Sequence, residues 1–129
     1  MLFTIAMENE RYRRGAAMLR EINPQGMDAL VRSLEPIAPD LARFVIEFAY
    51  GDVYAREGLS PQQRELCIIA ALTAAGDCEP QLRAHIEAAC AAGCTAREII
   101  ETILMMAVYA GFPAAINAMD TAKRALDID

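Results

Sequence analysis

Apolar residues recur at helical spacing along the whole chain, and no stretch alternates with the period of two that a half-buried strand needs. Over residues 8–21, Tyr12, Ala16, Leu19 and Ile22 share one face of a helix, and Arg11, Arg13 and Arg14 form a basic patch beside it. That patch reads as a solvated face, with carboxylate binding as the alternative. Asn23-Pro24-Gln25-Gly26 is a turn, and a short helix runs from Met27 to Leu34. After Pro36 and Pro39, a third helix over about 39–54 carries Leu41, Phe44, Val45, Phe48, Ala49 and Val53. So broad a stripe predicts a largely buried helix. Gly51 inside it costs up to about 1 kcal/mol relative to alanine, which points to a close helix contact or a bend.

The pattern is most informative between Ser60 and Gly93, where it predicts a helical hairpin. Ser60-Pro61 opens the first arm as N-cap and first helical residue, with Gln63 placed for a capping box. Leu66, Ile69, Ala70 and Thr73 form its stripe, and Gly76 stops it. Asp77 or Cys78 caps the second arm, which carries Pro80 in its first turn and runs through Leu82, His85, Ile86 and Ala89 to Gly93. A capping box at Thr95–Glu98 starts the next helix, over 96–110, apolar nearly all round past Ile103 and therefore central or at a subunit interface. Gly111 ends it. Pro113 opens a last helix over 113–126, in which Ala114, Ala115, Ala118 and Ala122 permit close approach. The expected fold is all-α, with six or seven helices around the central hairpin.

Composition adds three constraints. At 129 residues one domain, 1–129, is the expectation, with residues 1–7 as a flexible extension and Met7 as an alternative start. Hydrophobic content is 55% but alanine-rich and without tryptophan, and a core of small side chains is often completed by oligomerisation. A net charge of −6 disfavours nucleic-acid binding. The apolar start lacks the basic residues and length of a signal peptide, and no run is long enough to span a bilayer. The four cysteines have neither disulfide-framework nor zinc-ligand spacing, so reduced thiols, no metal and a cytoplasmic setting are expected. Cys67, Cys90 and Cys94 read as packing residues.

The candidate chemistry lies in the hairpin. His85 is the sole histidine, and histidine is the side chain that normally titrates near neutrality. Cys78 lies seven residues before it, two helical turns away on the same edge, with Gln81 between them. If the chain folds back about residue 77, Ile69 is level with His85. Glu65 is then offset from it by about one turn, roughly 5–6 Å, within reach of a bridging water. Arg64 adjoins Glu65. The competing reading makes His85 a satisfied core histidine.

Several short motifs, in order, resemble the carboxymuconolactone decarboxylase family: Arg11-Tyr12-x-x-Gly15, Gly51-Asp52-Val53, Arg64-x-Leu66, Leu82-x-x-His85, and Ala107-Val108-Tyr109-Ala110-Gly111-x-Pro113-Ala114-Ala115. The resemblance covers about Glu10 to Leu126. It implies an alkylhydroperoxidase-like all-helical fold assembled into rings, with a hexamer expected and a trimer as the alternative. It also implies decarboxylation of 4-carboxymuconolactone to the enol-lactone of 3-oxoadipate, without metal or cofactor. The alkylhydroperoxidase-like branch uses Glu, then Cys-x-x-Cys-x-x-x-His; here Cys78 and His85 fall on that pattern, Glu65 lies one residue off, and Gln81 replaces the second cysteine.

Three functions follow as expectations. In a cofactor-free decarboxylase acting on a small carboxylate, His85 supplies a proton and Glu65 orients it. Arg64 anchors a substrate carboxylate through its bidentate fork, and Tyr109 is a further hydrogen-bonding candidate. In a thiol-dependent peroxidase, Cys78 reacts beside His85; without a second thiol at position 81 it needs an external thiol to recycle. The third reading is a non-catalytic helical oligomer that binds a small ligand.

Overall fold

The computed structural model describes residues 9–129; the expectations for residues 1–7 fall outside them. Among the described residues are seven α-helices, one π-helical segment and no strand: α1 (Glu10–Ile22), α2 (Pro24–Leu34), α3 (Pro39–Phe44), the π-segment (Val45–Tyr54), α4 (Pro61–Ala75), α5 (Glu79–Ala91), α6 (Ala96–Tyr109) and α7 (Phe112–Ala125). They group into two compact units, Met1–Gly58 and Leu59–Asp129. No helix among these residues is long and apolar enough to cross a membrane.

In the first unit α1 packs against the π-segment, with Ala16, Leu19, Met27 and Ile46 buried between the helices. The approach is backbone to backbone. A Cβ on Gly15 would overlap the Ile46 carbonyl, and one on Gly51 would lie 2.5 Å from the Arg11 carbonyl oxygen. The close contact expected at Gly51 is therefore present. Arg11 grips Asp52 through Nε and Nη2, at 3.0 and 2.6 Å, while Arg14 Nε donates to the Gly51 carbonyl at 2.6 Å. Two of the three arginines of the expected solvated patch thus bind groups of their own chain. Glu47, 5% exposed, lies 3.5 Å from Arg11 and 3.9 Å from Arg43.

The stripe expected to bury the third helix is corrected by this structure. Leu41, Phe44, Phe48 and Val53 are 49%, 53%, 61% and 43% exposed, while Ala42, Ile46, Glu47, Gly51 and Tyr54 are buried. Leu41 and Phe44 belong to α3. For Phe48 and Val53 the cause is the helix type. Bonding from i to i+5, as in Ala55 N–H to the Tyr50 carbonyl at 3.1 Å, slows the rotation per residue and puts Ile46 and Gly51, five residues apart, on the buried face. A stripe drawn at a period of 3.6 then points the wrong way.

The second unit is built on the expected hairpin. Ser60 Oγ accepts from the Gln63 N–H at 3.1 Å and Gln63 Oε1 from the Ser60 N–H at 2.8 Å, closing the capping box at the start of α4. Thr95 and Glu98 do the same for α6. Ile69 of α4, Leu82 and Ile86 of α5, and Ile99 and Ile103 of α6 meet Ala115, Ala118 and Ala122 of α7 in one core. The alanines let α7 lie close, as its sequence indicates. Cys94 joins this core, but Cys67 and Cys90 are exposed, against the expectation for both. Glu65, Ile69 and Thr73 face inward four residues apart, which turns Cys67 to the opposite side of α4. Past Ile103, α6 leaves Leu104, Met105, Val108 and Tyr109 more than half exposed.

Two consequences can be measured. Gly51→Ala should lower stability by about 1–3 kcal/mol, the range for overpacking a tight contact. In an open helix the same change would raise it by up to about 1 kcal/mol, so the sign of the shift in thermal midpoint decides. Asp52→Asn tests the Arg11 clamp. The Arg11 hydrogen bond holds the Asp52 carboxyl below its ordinary value of 3.8, with the charges of Arg11 and Arg14 adding to the effect. A lowered folded-state value stabilises above the unfolded pKa and loses that contribution as pH falls through the folded one. The variant should therefore melt below wild type at pH 7, and the gap should close as the pH drops below 3.8.

Candidate active site

The α4–α5 hairpin turns through two residues with positive φ, Gly76 at 71° and Asp77 at 53°, and Cys78 stands at the N-cap of α5 without a side-chain capping bond. Glycine adopts this backbone freely and aspartate is among the residues that tolerate it, so the reversal is tight. The hairpin consequently folds about position 75, midway between Glu65 and His85, rather than 77. Moving the fold point by two residues moves the register by four, about one helical turn.

That shift brings Glu65 level with His85. His85 Nδ1 lies 2.8 Å from Glu65 Oε1, a direct hydrogen bond where a water bridge was expected. The Glu65 side chain has no exposure, and the His85 ring keeps 21%. A carboxylate can only accept, so Nδ1 carries the proton and donates it to Glu65. Nε2 is then the nitrogen with a free lone pair, on the more exposed member of the pair. With Glu65 ionised, the arrangement orients the imidazole and favours the tautomer that carries its hydrogen on Nδ1.

The other sequence candidates divide. Arg64 precedes Glu65 on α4 and is half-buried. Cys78 does not join His85; its thiol donates to the Leu72 carbonyl at 3.2 Å. It lines a pocket of about 40 Å³ with Leu72, Thr73, Leu82, Ala118 and Thr121, among others, and His85 is not part of that wall. Gln81 points outward on α5, exposed, and Tyr109 is 80% exposed at the end of α6. Neither side chain hydrogen-bonds to His85 among the described residues. The two-turn spacing of Cys78, Gln81 and His85 places them along α5, but only His85 meets Glu65.

Thr73 was legible only as a stripe position. It is 1% exposed and its hydroxyl has no hydrogen-bond partner. A threonine eight residues after a buried glutamate, on the same stripe, was the available signal. Among the described residues no group of three or more histidine, cysteine or acidic side chains is arranged to hold a metal ion.

An uncharacterised 15.0 kDa protein of Paracoccus denitrificans is 38% identical over 110 residues, 84% of this chain and 82% of its own. The 4-carboxymuconolactone decarboxylase of Acinetobacter baylyi is 34% identical over 117 residues, 90% of this chain and 87% of its own. A nitrosuccinic acid decarboxylase of Metarhizium robertsii is 31% identical over 97 residues, 75% of this chain and 67% of its own. Residues 39–124, which include the whole α4–α5 hairpin and its Glu65–His85 pair, match the description of one family, and the chain belongs to it: the carboxymuconolactone decarboxylase family.

Proposed function

We propose that the protein is a cofactor-free decarboxylase acting on 4-carboxymuconolactone or a related lactone carboxylate. The observation that carries this reading is the 2.8 Å Glu65–His85 pair, in a chain similar to two decarboxylases. Those two are named for different acids, so what they share is loss of carbon dioxide rather than one carbon skeleton. The departing carboxylate leaves its electron pair on carbon, and in a lactone acid that charge spreads into the ring and its carbonyl. The site must stabilise the charge and deliver a proton to carbon. His85, protonated on both nitrogens, gives the Nε2 proton and returns to the neutral tautomer that Glu65 already favours. Arg64 anchors a substrate carboxylate, and its planar fork suits two-point binding better than a lysine ammonium.

The reading extends to assembly. The chain forms a homo-oligomer, a ring hexamer on an alkylhydroperoxidase-like fold, in a reducing cytoplasm compatible with its four free thiols. In the second unit Met105, Val108, Tyr109, Phe112 and Ile116 are 60–80% exposed across the end of α6 and the start of α7. Contiguous apolar patches of this kind mark contact surfaces, and a second copy of the same surface is apolar in the same way. Tyr109 lies in this patch, so its place is at the interface rather than beside His85 of its own chain.

Light scattering at micromolar concentration should return a multiple of 14.1 kDa, and a stable monomer would remove the assembly. Catalysis is tested by following ultraviolet loss of 4-carboxymuconolactone. His85→Gln should lower kcat by about 10²–10⁴-fold with helicity intact, the usual worth of general acid catalysis. Arg64→Lys should chiefly raise KM. Full activity in His85→Gln would place the proton donor elsewhere, and an inactive wild type would move the function to another acid.

A further inference from the structure

Among the described residues, the large apolar side chains that the first unit leaves exposed all lie in one stretch. Ile37, in the turn before α3, is 79% exposed, and Leu41, Phe44, Phe48 and Val53 follow it along α3 and the π-segment. Leu41, Phe44 and Phe48 are three and four residues apart, the spacing of neighbours on one helix face, while Ala42, Ile46 and Gly51 are buried. Together the five expose on the order of 500 Å² of mostly apolar surface per copy, well over half of the ~800 Å² that one partner of a standard interface buries. Their order along the chain is symmetrical. Ile37 and Val53 are centred on residue 45, Leu41 and Phe48 between 44 and 45, and Phe44 lies at the centre itself. An unrelated partner would have no need of that symmetry; a second copy running the opposite way requires it.

We propose that this face of α3 and the π-segment is a self-association surface, at which two copies pack antiparallel about a two-fold axis beside Phe44. In that register Phe44 meets the partner's Phe44, Leu41 meets the partner's Phe48, and Ile37 meets the partner's Val53, so each exposed apolar side chain is answered by another. The charged groups of the stretch fit the same pairing. Asp40 falls opposite Ala49 and Asp52 opposite Ile37, so no carboxylate meets its like. Each is also answered within its own chain, Asp40 by Arg43 at 3.3 Å and Asp52 by Arg11 and Arg14 at 2.6 and 3.2 Å, so neither is buried unpaired. The surface is separate from the α6–α7 patch, which belongs to the second unit. Where each face is its own complement, the two alternate from copy to copy, and an assembly that uses both closes only with an even number of chains. That alternation rests on the proposed α6–α7 contact; the pairing at Phe44 does not.

The test measures the mass of the full-length protein in solution by light scattering, for wild type, Phe44→Glu, Val108→Asp and the double variant. Both positions are exposed, so the substitutions leave the core alone. Wild type should exceed a dimer, each single variant should fall to twice 14.1 kDa, and the double variant to 14.1 kDa. The register is read by cross-linking in a Cys67→Ser, Cys90→Ser background. Phe44→Cys should form a disulfide-linked dimer with itself. Leu41→Cys should link to Phe48→Cys in a mixture but not to itself, because its two copies stand about seven residues, ~10 Å, apart along the axis, beyond disulfide reach. A mass unchanged in Phe44→Glu, a monomeric wild type, or no cross-link through Phe44→Cys would overturn the proposal. Monomers from both single variants would do so too, since one face would then bind the other head to tail. A dimeric wild type that Phe44→Glu alone dissociates would remove the α6–α7 contact and uphold the pairing at Phe44.

Discussion

A carboxylate removed entirely from water must be answered by a donor, and Glu65 is such a carboxylate. His85 answers it at 2.8 Å. The bond spans twenty residues of sequence, so it can form only if α4 and α5 lie in one register. With that register set, Ile69 and Leu82 fall on the turn side of the pair and Ile86 on the other, and Thr73 and Cys78 line one pocket nearer the turn. α6 and α7 then close on these aliphatic side chains with isoleucines and alanines. A hairpin slipped by one turn would lose the Glu65–His85 hydrogen bond. Hydrophobic contact makes the hairpin; the buried charge selects its alignment.

The first unit is governed by a different constraint, the approach of two backbones. Gly15 and Gly51 sit where α1 meets the π-segment, and Arg11 and Arg14 bind Asp52 and the Gly51 carbonyl beside that contact. These residues come from the motifs Arg11-Tyr12-x-x-Gly15 and Gly51-Asp52-Val53, which carry part of the resemblance in the sequence. In this chain their work is structural: glycine lets the helices touch, and the bidentate arginine fixes how they do. A motif that carries a family resemblance need not contain its chemistry; the proposed site lies later, in Arg64 through His85.

Helix ends were legible because their signals are local. Ser60–Gln63 and Thr95–Glu98 each close a capping box within four residues, and each box forms as read. The alanine face of α7 was legible for the same reason. Two things were not. The π-segment has no local sequence mark, and its wider turn carried Phe48 and Val53 to the exposed side. The hairpin register depended on how tightly Gly76 and Asp77 reverse the chain, and a shift of two residues in the fold point separates a water-bridged pair from a direct bond. Membership of the site was legible for His85 and Glu65. Spacing along α5 alone grouped Cys78 and Gln81 with His85, whereas contact with α4 separates them.

The two polar levels of the hairpin differ in what they can support. At the Glu65–His85 level both partners are satisfied, and the ring retains an exposed edge; such a pair can hand a proton to a reacting carbon without rearranging. At the Thr73–Cys78 level one buried hydroxyl has no hydrogen-bond partner and the thiol is held by a backbone carbonyl. Ile69 and Leu82, which lie between the two levels, carry no proton-bearing side chain. Aliphatic side chains thus separate the satisfied carboxylate–imidazole pair from the thiol at the turn, which bonds to the Leu72 carbonyl instead.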